Sequence, residues 1–210
     1  MLKVLIADDH EIVRKGLGKV LAETLQPVKV DEAKNGQEAL NKIWKNEYDL
    51  AVLDLKMPGK SGLDVLKEIK QHQPKLPVLI LSMHPEEQFA LRAIRAGASG
   101  YLTKECASDE LAIAVRKALK GERYISGSLA QILAGELDSD PEKPPHEILS
   151  DREYQVMLMI ASGKPVGAIA KDLCLSVKTI SSYRTNILLK TRMKNNAEIT
   201  HYAIQNKLVD

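Results

Sequence analysis

Four apolar runs in the first half of the chain end on, or lead directly into, side chains that handle metal ions or phosphate. Asp8 and Asp9 follow Leu2 to Ala7, Asp54 closes Leu50 to Leu53, Ser82 follows Val78 to Leu81, and Lys104 comes just after Ser99 to Leu102. Carboxylates crowded together repel unless a cation sits among them, and hard oxygen ligands select Mg²⁺, which keeps several waters and accepts phosphate oxygens. Around such a cation Asp54 is placed for in-line attack on a phosphoryl group, Lys104 for binding the transferred oxygens, and Ser82 for donating to them afterwards. The product of that chemistry is an aspartyl phosphate. Taken singly, Asp8 and Asp9 would serve equally as helix caps, and Lys104 as a surface ammonium. Their joint recurrence at successive strand ends favours a site.

The elements that position these groups follow from hydrophobic periodicity. Leu50-Ala51-Val52-Leu53-Asp54, ended by Met57-Pro58-Gly59, reads as a buried parallel strand delivering a carboxylate to a sheet edge. The first run is followed by a helical pattern with Ile12, Val13, Leu17, Val20 and Leu21 on one face. The alternation repeats as Val28 to Ala33 then Gln37 to Trp44, Leu50 to Leu53 then Gly62 to Ile69, Val78 to Leu81 then Pro85 to Ala96, and Ser99 to Leu102 then Ser108 to Leu119. Five strand–helix units predict a doubly wound α/β fold, a five-stranded parallel sheet with helices on both faces. All carboxyl ends then share one edge, where ligands bind.

At 210 residues and 44% apolar, the chain can bury one sizeable core or two small ones. The first apolar run is too short for a signal peptide, and no stretch nears the roughly 18 to 20 apolar residues of a membrane helix, so a cytoplasmic location is expected. Cys106 and Cys174 read as small buried hydrophobes, without a disulfide or metal role. The net charge of +2 hides an asymmetry. Residues 136–147 carry five acids against Lys143, whereas residues 176–207 carry six basic residues against Glu198. The basic end points to a polyanion partner.

Beyond Lys120 the pattern changes. Ile125 to Leu137 predicts one short amphipathic helix, and the acidic, proline-rich run from Asp138 to His146 reads as a semi-rigid exposed linker. Ser150-Asp151-Arg152-Glu153 is a capping box opening a helix that ends at Gly163. A second helix, Val166 to Leu173, is followed by Cys174-Leu175, by Ser176 as N-cap, and by a longer helix to about Lys190. Two helices joined by a short turn, the second basic and rich in Ser, Thr, Asn and Tyr, describe an all-α helix-turn-helix domain, and DNA is the matching polyanion.

These motifs carry a resemblance. Asp8-Asp9, Asp54-x-x-Met57-Pro58-Gly59, Ser82 and Gly100-Tyr101-Leu102-x-Lys104 resemble the flavodoxin-like receiver domain of bacterial two-component response regulators, over residues 1–122. By that resemblance Asp9, Asp54 and the backbone carbonyl of Lys56 bind Mg²⁺, with Asp8 supporting through water, and Ser82 and Tyr101 form a switch pair. Residues 148–210, after a helix and flexible linker at 123–147, resemble the LuxR-type DNA-binding domain in Leu149-Ser150-x-Arg152-Glu153, Ile169-Ala170 and Leu175-Ser176-Val177-Lys178-Thr179-Ile180-x-x-Tyr183. Together they resemble the NarL/FixJ class. Matching positions put Ser181, Ser182 and Thr185 at base edges, and Lys178, Thr179, Tyr183 and Arg184 on phosphates. The chain departs from the family pattern at Glu105, where a cis-proline is common, at the bulky Met83 after Ser82, and at Ala168, where an acid is usual.

What the resemblance implies is a regulator rather than an enzyme: a sensor histidine kinase phosphorylates Asp54, and the C-terminal domain binds double-stranded DNA. RNA polymerase is a further expected partner. The unphosphorylated receiver is expected to hide Lys178, Tyr183 and Thr185. Once freed, the protein is expected to pair as a homodimer through Ile199, Tyr202, Ala203 and Ile204 and read inverted half-sites. An Mg²⁺-dependent phosphotransferase or phosphatase would need a second acid two residues after the nucleophile, where Lys56 stands. A nucleotide-binding domain would need a Gly-rich loop after the first strand, where Asp8-Asp9-His10 stands.

Overall fold

The structure, a computed structural model, describes residues 1–105, 107–137 and 144–209. Cys106 and the 138–143 part of the expected linker lie outside the described residues. Two compact units divide the chain between Leu137 and Asp138.

In the first unit, five strands, β1 (Leu2–Ala7), β2 (Val28–Ala33), β3 (Leu50–Asp54), β4 (Val78–Ser82) and β5 (Gly100–Thr103), form one parallel sheet in the order β2-β1-β3-β4-β5. Between them run α1 (Glu11–Thr24), α2 (Gly36–Lys45), α3 (Gly62–His72) and α4 (Glu86–Arg95), and α5 (Ala107–Leu119) follows β5. Every residue of β3 and β4 is buried, which is why these strands read as continuous apolar runs rather than alternating ones. Val4, Ile6, Leu50, Val52, Leu79 and Leu81 share a core with Leu17 and Leu21 of α1 and Leu111 and Val115 of α5. The alternate residues Leu5, Leu53 and Ile80, also buried, point to the other face by the two-residue period of a strand. The strand order reverses between β1 and β3, so the crevice at the carboxyl edge opens where Asp8, Asp9 and Asp54 lie.

The buried face of α1 differs from the expected one. Ile12 is 87% exposed, whereas Arg14 is only 4% exposed. Arg14 is stabilised inside by donating to Asp8 O and to the Glu32 carboxylate, each at 2.8 Å. A helix turns about 100° per residue, so Val13, Leu17, Val20 and Leu21 define a face that excludes position 12.

The sixth helix, α6 (Gly127–Leu137), belongs to the first compact unit, which runs past the boundary at residue 122 expected from the sequence. The chain leading to it is tied to β5 by Tyr124 N–H donating to Ser99 O at 2.7 Å. Ser126 caps α6 by accepting from Leu129 N–H at 3.0 Å, and its Oγ also lies 2.7 Å from both carboxylate oxygens of Glu86, the first residue of α4. Ser128 donates to the same carboxylate, which is 8% exposed.

In the second unit, α7 (Asp151–Ala161), α8 (Val166–Asp172), α9 (Val177–Thr191) and α10 (Asn196–Gln205) surround Tyr154, Met157, Ile160, Ile169, Ile180, Ile187, Ile199 and Ala203. The capping box at Ser150 and Glu153 forms, with both reciprocal bonds. Three expectations are corrected here. Cys174 is exposed, at φ 53°, because it is the left-handed residue of a Schellman turn: Leu175 N–H donates to Ala170 O and Cys174 N–H to Lys171 O. His146 is not part of an exposed linker, since its ring lies between those of Tyr154 and Tyr202 and its Nδ1 is 2.7 Å from the Tyr202 hydroxyl. Ile199 and Ala203, expected at a dimer surface, are fully buried in their own unit, and of the four residues named for that surface Ile204 is the one that is exposed. Among the described residues no helix is long and apolar enough to cross a membrane.

Because Glu86 accepts from both serines at the start of α6, Glu86→Ala removes the shared acceptor of half-buried Ser126 and exposed Ser128. The expected cost is about 0.5–1.5 kcal/mol of unfolding free energy, read by urea titration, with faster amide exchange across 127–134; an unchanged midpoint and unchanged exchange would show that α6 does not depend on this carboxylate.

Candidate functional site

The carboxyl edge of the sheet gathers the side chains named from the strand ends. Asp8 and Asp54 are 0% and 3% exposed, and between them lies the Lys104 ammonium, 2.7 Å from Asp8 Oδ2 and 3.0 Å from Asp54 Oδ2. Beyond this ion pair the buried Asp8 Oδ2 has no hydrogen-bond partner among the described residues. Asp54 Oδ1 accepts from Lys56 N–H at 3.3 Å. Asp9, by contrast, is exposed on the rim, 2.8 Å from His10 Nδ1.

Close approach of α3 supports the Asp54 backbone. A Cβ on Gly62 would fall 2.2 Å from Asp54 O, so only glycine lets the start of α3 close under this strand end.

Burial is the main influence on Asp54, pushing its carboxyl up to about 6; the charge of Asp8 adds to this, and Lys104 opposes it. Burial also works against the Lys104 charge, yet Asp8 and Asp54 outweigh it and raise the lysine above its ordinary value.

Ser82 and Tyr101 meet at a third residue. Ser82 Oγ accepts from His84 N–H at 2.9 Å, a contact that does not use the hydroxyl's own proton, and the Tyr101 hydroxyl donates to His84 O at 2.9 Å. Both are fully buried, with the Tyr101 ring inside. Met83, between them in sequence, is 70% exposed. The strand-end reading missed the donor that completes the acidic group: Asp8, Asp9, His10 and Asp54 each offer one ligand atom, all within 4.8 Å of one another. The position of His10 directly after the paired acids was the signal for it. Two buried carboxylates that share one ammonium, beside the ligand atoms of Asp9 and His10, form a donor set that fits a divalent cation.

In the second unit, Lys178, Ser181, Ser182 and Thr185 are exposed on α9 at the i, i+3, i+4, i+7 spacing of one helical face, with Thr179, Tyr183 and Arg184 half-buried beside them. Ser182 and Thr185 donate to Lys178 O and Ser181 O, each at 3.1 Å. Arg184 Nε donates to Asn196 Oδ1 at 2.6 Å, joining α9 to the start of α10. Lys190, counted with the basic residues from sequence, is instead paired internally with Glu153 at 2.6 Å. Glu153 is 3% exposed; burial tends to raise its carboxyl, but Lys190 and Ser150 prevail and hold it below the usual range.

A parallel sheet with this acidic edge, followed by a compact helix-turn-helix unit, defines a two-domain regulator. The family profile of the response regulator receiver domain matches residues 4–116, and that of the bacterial regulatory proteins of the luxR family matches residues 147–203. The chain belongs to the two-component response regulators of the NarL/FixJ class, DNA-binding transcription regulators. It is 36% identical to the response regulator UvrY of Escherichia coli K12 over 210 residues, covering 99% of this chain and 96% of that one. Identity to the response regulator GacA of Pseudomonas aeruginosa is also 36%, over 211 residues, with 100% and 99% covered. Among solved structures, RcsB of Salmonella enterica serovar Typhimurium, bound to promoter rprA in the presence of the phosphomimetic BeF3−, matches with a TM-score of 0.64 and 31% identity over 96% of this chain and 98% of that one. RcsB has also been solved as two dimers on two parallel DNAs, matching at TM-score 0.60 and 29% identity over 100% and 99%.

The pKa of Asp54 leads to a pH dependence. Its folded value of about 6 stands above the ordinary 3.8, so between those limits the folded state holds a proton that the unfolded state has lost. For this group, stability of the metal-free protein falls as pH rises from about 4 to about 6, and Asp54→Asn removes that slope. In EDTA above pH 6 the variant is expected to be more stable than the parent by about 1–3 kcal/mol; identical pH profiles would mean that Asp54 is not the group responsible.

Proposed function

We propose that this chain is a phosphorylation-controlled transcription regulator in which a sensor histidine kinase phosphorylates Asp54 and the second unit binds double-stranded DNA. The observation that carries this reading is the Asp8–Lys104–Asp54 cluster, one ammonium within 3.0 Å of two buried carboxylates at a sheet edge, on the same chain as a helix-turn-helix. Asp8, Asp9, Asp54 and the Lys56 carbonyl would hold Mg²⁺. When bound, the ion supplies charge neutralisation for an incoming phosphoryl group. Asp54, as carboxylate, attacks in line the phosphorus carried by the kinase histidine, and the P–N bond breaks as the imidazole leaves. Lys104 already touches Asp54 Oδ2 and binds the oxygens that arrive there, and Ser82 donates its own proton to them while keeping the amide of His84. Tyr101 is tied to the carbonyl of that same residue, so movement of Ser82 toward phosphate is transmitted to the ring through residue 84.

On α9 the exposed face of Lys178, Ser181, Ser182 and Thr185 enters the major groove, with Lys178, Thr179, Tyr183 and Arg184 on phosphates. Ser182 and Thr185 spend their protons on their own helix, so they present acceptor oxygens suited to the amino groups of adenine and cytosine. Binding as a homodimer to inverted half-sites, with RNA polymerase as the downstream partner and the cytoplasm as the compartment, completes the reading.

Asp54→Asn is expected to abolish the shifted band on a phosphate-affinity gel after incubation with acetyl phosphate and Mg²⁺; uptake at the parent rate would refute Asp54 as acceptor. Lys178→Ala is expected to weaken all DNA sequences about equally and lower the slope of log affinity against log salt by about one, whereas Thr185→Ala alters sequence preference. A Lys178→Ala variant with an unchanged salt slope would place this face away from the phosphates.

A further inference from the structure

We infer that His10 is a metal ligand at the acidic edge, and that through its imidazole the site accepts first-row transition ions with a nitrogen donor as well as hard Mg²⁺. This rests on the reading of that edge as a divalent-metal site.

The spacing carries the inference. His10 Nδ1 is 2.8 Å from Asp9 Oδ1 and 3.2 Å from Asp8 Oδ1. With metal–ligand bonds of about 2.1 Å, adjacent ligands of an octahedral ion lie about 3 Å apart and opposed ligands about 4.2 Å apart. The four donor atoms of Asp8, Asp9, His10 and Asp54 lie within 4.8 Å of one another, close to that range. Lys104 contacts the Oδ2 atoms of Asp8 and Asp54, while their Oδ1 atoms contact His10 and the amide of Lys56. The ammonium and the imidazole therefore meet different oxygens of the carboxylate pair. Independently of the imidazole, Asp8 is fully buried, and its Oδ2 meets the Lys104 ammonium, which it shares with Asp54, and no further hydrogen-bond partner among the described residues, so the carboxylate pair is left with one cation between two charges.

Without an ion, the ring's polar contacts among the described residues are to the two carboxylates it would share with the metal. His10 occupies the N-cap position of α1, but its side chain makes no capping bond, and the ring is 67% exposed rather than packed. Asp8 Oδ1 is held by the His10 backbone N–H at 2.8 Å, with the ring Nδ1 at the longer distance of 3.2 Å. To ligate, Nδ1 presents its lone pair and the proton resides on Nε2. An imidazole adds little affinity for Mg²⁺, which prefers oxygen and retained water, but adds strongly for Co²⁺ and Ni²⁺ along the Irving–Williams series. His10 is thus a specificity-determining residue for the ion.

Pulsed electron paramagnetic resonance on the untagged full-length protein, loaded with less than one equivalent of Mn²⁺, reads this directly. The expected result is nitrogen-14 modulation from a coordinated imidazole, lost in both His10→Ala and His10→Gln. Calorimetry with Ni²⁺ and Co²⁺ is expected to show affinity reduced roughly tenfold or more in either variant, with Mg²⁺ changed by less than about twofold. Bound Mn²⁺ without nitrogen modulation, or modulation that survives both substitutions, overturns the assignment of His10 and leaves the acidic edge standing as a metal site. A spectrum of free Mn²⁺ alone overturns both.

Discussion

The first unit depends on a charge imbalance held at one end of its sheet. Two buried carboxylates share one ammonium, and neither Asp8 nor Asp54 is solvated enough to ignore the other. Removing charges from water costs several kcal/mol per ion unless partners repay it, and a single lysine between two acids repays only part. Asp54 shows the deficit as a raised pKa. The surroundings are arranged around this: Arg14 is buried to hold the Asp8 carbonyl, Gly62 gives way so that α3 can approach Asp54, and the amides of His10 and Lys56 point at the acids. A site left under-compensated in this way is ready for a cation and for the phosphate oxygens that a cation attracts.

Around that edge the fold joins local chemistry to elements further along the chain. Residue 84 takes a hydrogen bond from Tyr101 and gives one to Ser82, and two residues later Glu86 holds Ser126 and Ser128. A displacement of the loop after β4 is therefore felt both at the tyrosine and at the start of α6. Ser82, Tyr101 and Glu86 are buried, which makes the bonds they form directional and costly to leave unmade. Polar side chains thus help fasten the start of α6 to the switch loop.

The second unit separates structural charges from surface charges. Glu153 and Lys190 bind α7 to the far end of α9, and Arg184 Nε is committed to Asn196, so part of the basic excess stabilises the unit itself. Lys178 stays exposed beside three small hydroxyl residues on one face. A close, smooth helix surface with one cation at its start suits entry into a groove, because short side chains keep the helix near the bases.

Much was legible in the sequence alone. Strand ends at Asp54 and Ser82, the lysine after the fifth strand, the capping box at Ser150 and the turn before Ser176 all follow from periodicity and local hydrogen-bonding chemistry, which act over a few residues. Tertiary structure alone decided the rest. Ile12 and Ile199 are both isoleucines in amphipathic helices, yet one faces solvent and the other the core, because only the packed partner decides which edge of an apolar stripe is covered. Arg14 and Glu153 look like surface charges in the sequence and are buried because partners 18 and 37 residues away complete them. His10 likewise gained its meaning only when the sheet brought Asp54, from a strand more than forty residues later, to the same edge. Local sequence specifies what a side chain can do, and long-range pairing specifies what it meets.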